Sequence, residues 1–437
     1  MPASPIQFNS SSEIRSYQED QLSILLDYLN QNSKFYQDHF RKHNIDINKI
    51  NTLEQLNLIP PVTKGDLQQH NNDFICVERS EIIDYITTSG TLGDPVTFAL
   101  TDKDLDRLAH NEYLSFLSAQ GTKEDIFQLM TTIDRRFMAG LAYFLGARKL
   151  GAGIVRVGSG LPELQWDTIT RIKPNAIIAV PSFILRLIAY AEANGIDYRN
   201  SSIRKAVCIG EPLRNPDFTL NTLGQAIKDK WDIDLYSTYA STEMATAFTE
   251  CSEGRGGHHQ PELIIVEFLD EEGQKVPEGE PGEVTITTLG MEAMPLLRFR
   301  TGDICYRHSE PCGCGRFTLR LGPIIGRKQH MIKYKGTTLY PPAIYDILNN
   351  DNNIINYVVE VYTNSIGTDE ILIKIAAPNA GKEFAKRLRD TFRAKLRVTP
   401  KFEFHDLKEI QKLMFPEMSR KPIKFFDKRK NKVNQYK

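Results

Sequence analysis

After a polar opening, Leu22, Leu25, Leu26, Tyr28 and Leu29 fall three and four positions apart, the spacing of one helix face. Helical patterning runs through the first 70 residues and stops near the turn-prone IPPVTKGDL, where proline and glycine interrupt it. From Ile82 to about Cys208, short apolar runs such as NAIIAV and KAVCIG alternate with helical stretches such as PSFILRLIAYAEANGI, for which Ser182 is the expected cap. This alternation predicts a layered α/β sheet. Between Leu263 and Leu289 the period drops to two, in LIIVEFLDEEGQKVP and GEVTITTL, and Gly-rich turns there predict antiparallel hairpins, an added β subdomain. After Arg327 two strand candidates, YVVEVYT and EILIKIAA, precede a helix with Phe384, Leu388 and Phe392 on one face. The expected architecture is an α/β fold with a large domain over 1–327 and a small α+β domain over 328–437.

Composition narrows the class. A chain of 437 residues, 41% hydrophobic and 25% charged, can bury a large core and still build a second domain. Its net charge of −1 provides no global field to recruit nucleic acid or an acidic membrane. Residues 420–437 carry eight Lys or Arg against one Asp, ordinarily a solvated tail. The start lacks a basic segment followed by an apolar one, and no run of about 18 apolar residues occurs, so a cytoplasmic protein is expected. Six cysteines in such a chain point to metal binding or burial rather than a disulfide framework.

Candidate chemistry begins at ITTSGTLGDP, residues 86–95. It follows a strand candidate, and Thr88, Ser89, Gly90, Thr91 and Gly93 could wrap phosphates with amides and hydroxyls. An ordinary Ser/Thr/Gly turn is the competing reading, and the ending of a Walker loop is missing. Further along stand STYASTEM at 237–244, LRFRTGDI at 297–304, GRKQHMIKYKGTTLYPPAIYDIL at 326–348, and SRKPIKFFDKR near the end. In this order the segments resemble the motifs of acyl-adenylate-forming enzymes.

That resemblance implies roles. The Tyr239 ring would pack on adenine, with Ala240 and Ser241 in the same stretch, Thr242 would reach the α-phosphate, and Glu243 would hold magnesium. A hard cation calls for carboxylate oxygen, and the charge of ATP must be offset before a carboxylate can attack it. Asp303 would accept both ribose hydroxyls, and Arg327 would contact ribose and phosphate beside a hinge about which the small domain rotates. Gln329 and His330 stand where the family usually has an acid. Lys421 would lie over the α-phosphate during adenylation; because Arg420 replaces the usual glycine, Lys424 is the alternative.

KFYQDHFRKHNI followed by LEQLNLIPPVTKGDL is similar to the N-terminal signature of phenylacetate-CoA ligases. By that resemblance Gly210, Glu211 and Pro212 border adenine. The implied activity is ATP- and magnesium-dependent activation of an aryl or arylacetic acid to acyl-AMP, then transfer to coenzyme A. The partners are the acid, ATP and coenzyme A, with no nucleic acid or membrane, and a homodimer is compatible with it. Two alternatives stay open: transfer to a carrier-protein phosphopantetheine, and a catalytically silent nucleotide-binding homologue. MTTIDRRFMAGLAYF, at 130–144, is expected to line the acid pocket, with Phe137 and Tyr143 beside a ring and Arg135 and Arg136 available to a polar substituent.

Cys251, His258, His259, Cys312 and Cys314 form C-x6-H-H followed by C-G-C-G-R. Cys251, His258, Cys312 and Cys314 make a tetrahedral Cys3His set for a structural zinc. His259 could replace His258, and buried reduced cysteines are the competing reading.

Overall fold

A capping box between Ser10 and Glu13 starts the first helix, Ser11–Asn32, satisfying amides that the helix itself leaves unpaired. The predicted stripe Leu22, Leu25, Leu26 and Leu29 is buried, and the half-buried Tyr28 hydroxyl donates to the Glu292 carbonyl at 2.8 Å. Helices Lys34–Lys42 and Lys64–Gln69 complete the helical start. The computed structural model describes residues 6–88, 96–334, 337–364, 369–378, 380–415 and 423–429. They fall into two units, Met1–Thr301 with Cys305–Pro323, and Gly302–Ile304 with Ile324–Lys437.

The larger unit carries a mixed sheet. Strands Gly153–Arg156, Ile126–Leu129, Ala176–Ala179, Lys205–Ile209 and Asp234–Ser241 lie side by side in that order, all parallel. Ala176–Ala179 is buried throughout, as a strand covered on both faces must be. Helices Met138–Leu150, Pro162–Ile172, Pro181–Ala193 and Thr222–Lys230 occupy the intervening segments. Beyond Ser241 the sheet turns antiparallel through Thr246–Thr249 and Gly257–His258. The period-two segments pair as expected, Ile264–Leu269 antiparallel to Pro281–Thr288.

One local expectation fails. Helix Pro181–Ala193 has Val180 at its cap position, with no side-chain cap, and Ser182 lies inside the first turn. Glu211 does the capping instead, its carboxylate accepting the Ser182 N–H and hydroxyl, both at 2.9 Å. A carboxylate at a helix N-terminus meets both free amides and the positive end of the dipole.

In the smaller unit, four strands run in the order Lys401–Phe404, Asp369–Ala376, Asn356–Thr363 and Phe425–Asp427. Phe384, Leu388 and Phe392 of helix Lys382–Leu396 are buried in the same cluster as Val359, Ile371 and Ile373. Among the described residues no helix is long and apolar enough to cross a membrane.

Candidate active site

In a parallel α/β sheet, ligands bind beyond the carboxyl ends of the strands, where the connecting loops converge. Several predicted segments sit there. Strand Ile126–Leu129 leads into the 130–137 loop, Lys205–Ile209 into Gly210-Glu211-Pro212, and Asp234–Ser241 into Thr242-Glu243.

Thr88 is buried, and its hydroxyl accepts the Val96 N–H at 3.1 Å, fixing one base of the Ser/Thr/Gly loop. Ser89, Gly90, Thr91 and Gly93 lie outside the described residues. Gly210 adopts φ +76°, a left-handed conformation that costs other residues a steric clash. Glu211 is held by Ser182, and the exposed Pro212 accepts Asn221 Nδ2 at 2.8 Å through its carbonyl.

Tyr239 and Ala240 face Phe248 and Ala247 across the Asp234–Ser241/Thr246–Thr249 hairpin. The Tyr239 ring stacks on Phe248, centroids 6.0 Å apart. Thr242 and Glu243 are half-buried in the turn, which closes through Met244 N–H to Ser241 Oγ at 3.3 Å and Ala245 N–H to the Thr242 carbonyl at 3.3 Å.

Two cations absent from the sequence expectations serve this turn. Lys64 Nζ approaches Glu243 Oε1 at 3.5 Å. Lys64 is the first residue of helix Lys64–Gln69, which the Thr63–Asp66 capping box starts. The contact spans 179 positions, so neither TKGDL nor STEM reveals it. Arg107 is buried and donates to the carbonyls of Leu289, Ala245 and Leu263 and to Thr246 Oγ1. Burial lowers its pKa to about 10, so it remains charged at neutral pH. Arg107→Met leaves three buried carbonyls without that donor, so a loss of about 3 kcal/mol in urea denaturation is expected.

The acid-pocket stretch divides. The Arg136 carbonyl accepts the Thr87 N–H at 3.1 Å, bringing the start of helix Met138–Leu150 to the base of the Ser/Thr/Gly loop. Tyr143 is buried against Phe116, centroids 6.0 Å apart, and Phe137 is half-buried. Arg135 and Arg136 are exposed, and Arg135 faces Asp134 at 3.8 Å; neither shares Tyr143's burial.

In the smaller unit, Arg327 Nε donates to Asp303 Oδ1 at 3.0 Å. Asp303 is buried and Arg327 exposed, so the guanidinium keeps donors facing water. Beside them Arg429 donates to the carbonyls of Gln329 and Met331, and the His330 ring lies 4.7 Å from Phe425. Lys421 is outside the described residues. Lys424 places its ammonium 4.6 Å from the Tyr357 ring centroid, an internal cation–π contact that competes with a phosphate role.

The four metal candidates converge. The ligand atoms of Cys251, His258, Cys312 and Cys314 all lie within 4.8 Å of one another. Cys251 and Cys312 sulfurs are 3.6 Å apart, and Cys314 Sγ is 3.4 Å from His258 Nε2. Bonds of about 2.3 Å to a tetrahedral zinc would separate sulfurs by roughly 3.8 Å. Burial, with Arg316 and Arg320 nearby, holds His258 near a pKa of about 3 and therefore neutral, as a metal ligand requires. Its Nδ1 meets Thr318 Oγ1 at 3.2 Å, the outer contact that orients a ligating imidazole. His259 instead bonds the Ile264 carbonyl at 2.5 Å, so the geometry selects His258.

The chain resembles known proteins along most of its length. Residues 26–293 match the family model "AMP-binding enzyme". The phenylacetate-coenzyme A ligase of Thermus thermophilus is 30% identical over 341 residues, 77% of this chain and 75% of that one. The phenylacetate-coenzyme A ligase of Aromatoleum evansii is 28% identical over 368 residues, 82% of this chain and 80% of that one. Among solved structures, 2-hydroxyisobutyryl-CoA ligase in the postadenylation state with R3-HIB-AMP superimposes with a TM-score of 0.83. It is 21% identical, covering 100% of this chain and 95% of the other, and the likeness establishes the shared fold.

Proposed function

We propose the following activity on one premise, that the chain belongs to the AMP-binding enzyme family and is phenylacetate-CoA ligase-like. The protein is an AMP-forming acid–thiol ligase. A substrate carboxylate attacks the α-phosphorus of ATP, pyrophosphate leaves, and an acyl-AMP anhydride forms. The thiol of coenzyme A then attacks the acyl carbon, a thioester forms and AMP leaves. The acid is an aryl or arylacetic one, the class that the names of the relatives indicate.

The observation carrying this reading is the Thr242–Glu243 turn, at the carboxyl end of a parallel strand with Lys64 beside Glu243. Thr242 donates to the α-phosphate and Glu243 supplies carboxylate oxygen for magnesium. Magnesium, when bound, offsets phosphate charge during the attack. Tyr239 and the 210–212 backbone receive adenine, Asp303 and Arg327 take the ribose, and Lys421 meets the charge that builds on the α-phosphate. Lys64 adds a positive charge toward the β- and γ-phosphates.

Cys251, His258, Cys312 and Cys314 hold a structural zinc. A full Cys3His shell has no open position for substrate, so the metal ties the segment after strand Thr246–Thr249 to the 312–314 turn.

Lys64→Met should raise the KM for ATP about tenfold while stability changes by less than about 1 kcal/mol, because a 3.5 Å pair contributes little to folding. An unchanged KM would remove Lys64 from the phosphate site. The acceptor is tested by giving the enzyme ATP and its acid with either coenzyme A or a phosphopantetheinylated carrier protein. Thioester on coenzyme A alone is expected; acylation of the carrier alone would move the protein to the carrier-loading class.

A further inference from the structure

Glu112 is a buried acid that the adenylation chemistry above does not use. It lies on helix Asp102–Ser118 where that helix crosses Met138–Leu150. A Cβ built on Gly146 would stand 2.3 Å from Glu112 Cβ, so the crossing is close and admits glycine there. Glu112 Oε1 accepts from Asn111 Nδ2 at 3.1 Å, while Oε2 meets no hydrogen-bond partner. Burial raises its pKa to about 8, so the carboxyl is predominantly neutral at pH 7.

Its neighbours locate that carboxyl. Asn111 Oδ1 accepts the Ala247 N–H at 2.9 Å, and Ser115 Oγ lies 2.5 Å from Thr249 Oγ1. Ala247 and Thr249 are the strand partners of Ala240 and Thr238. Asn111 and Ser115 therefore hold the helix carrying Glu112 against the strand adjoining Thr238–Ala240. Neighbouring strands are about 4.8 Å apart, so the helix carrying Glu112 packs one strand away from the stretch leading to Thr242. Tyr143, from the facing helix, is within electrostatic reach: burial and then Glu112 push its phenol well above the ordinary value.

Helix Met138–Leu150 starts at the base of the Ser/Thr/Gly loop, through the Thr87–Arg136 bond. Tyr143 and Gly146 thus lie along one helix between the base of that loop and Glu112. Leucine would give up only the Asn111 contact at this crossing, whereas a neutral carboxyl with an unpaired oxygen carries a desolvation cost. A local cost of this kind is expected at a functional site.

We propose, resting on the ligase reading above, that Glu112 recognises a hydroxyl at the far end of the acid, so that the substrates are hydroxylated aryl or arylacetic acids. A neutral carboxyl offers a hydroxyl both a donor and an acceptor. The unsubstituted acid leaves Oε2 unpaired in the complex and is selected against.

The test measures kcat/KM for CoA thioester formation by the full chain with phenylacetate against its 3- and 4-hydroxy derivatives, and benzoate against 4-hydroxybenzoate. At least one hydroxylated acid should be preferred about tenfold or more over its parent. Glu112→Gln, which still donates and accepts, should keep part of that preference, and Glu112→Leu should reverse it. Both acids are compared on one preparation, so any misfolded fraction cancels in the ratio. Equal use of parent and hydroxylated acids by the wild type, or a preference that Glu112→Leu leaves intact, overturns the role of Glu112 while the ligase reading stands. Thioester from none of these acids overturns the aryl-acid ligase reading and this inference with it.

Discussion

Lys421→Ala should lower acid-dependent pyrophosphate exchange about a thousandfold while leaving capture of preformed acyl-AMP by coenzyme A within about threefold. The split follows from where charge develops. Attack on the α-phosphorus builds negative charge on its oxygens, and an ammonium fixed there stabilises that transition state more than the ground state. Thiol attack builds charge on the acyl oxygen, which a lysine over the α-phosphate does not face. Lys424→Ala is the matching control: its ammonium already sits on the Tyr357 ring, so exchange should change only a few fold. Loss of exchange in Lys424→Ala with retention in Lys421→Ala would exchange the two assignments.

Cys312→Ser should remove the metal and destabilise the larger unit by several kcal/mol, with melting lowered by about 10 °C or more. Structural zinc sites supply folding free energy directly, since the unfolded chain does not hold the four ligands together. Three of the four ligands are buried and the sulfurs of Cys251 and Cys312 are 3.6 Å apart. Without the cation nothing bridges the four side chains, and the cross-link is lost. Metal analysis of the purified wild type should find about one zinc per chain, and the variant almost none. A metal-free wild type with the same melting temperature as Cys312→Ser would restore the reading of buried reduced cysteines.

The sequence pattern was most informative where physics is local. Period-two segments became Ile264–Leu269 and Pro281–Thr288, and the alternating runs became parallel strands, because burial on two faces leaves a continuous apolar signature. The stretches carrying Gly210 and Thr242 were legible only through the family resemblance, and the fold sets both directly after parallel strands. Contacts between distant positions left no such trace. Lys64 meets Glu243 across 179 positions, and Arg107 holds the Ala245 carbonyl across 138. Each reads locally as an ordinary helix residue. The Glu211 side chain also left no local trace: its carboxylate caps helix Pro181–Ala193 in place of Ser182 across 29 positions. Glu112 gave a weak signal, a carboxylate at a position where Leu108 and Ala109 mark a buried helix face.

Acid-dependent exchange of labelled pyrophosphate into ATP, without coenzyme A, tests the adenylation reading most directly. The panel should span arylacetic, benzoic, cinnamic and fatty acids. Exchange with one aryl class, abolished by omitting the acid or by Lys421→Ala, is the expected result. Silence with every acid, in a protein that nonetheless binds ATP, would contradict the adenylation reading and leave a nucleotide-binding homologue without ligase activity.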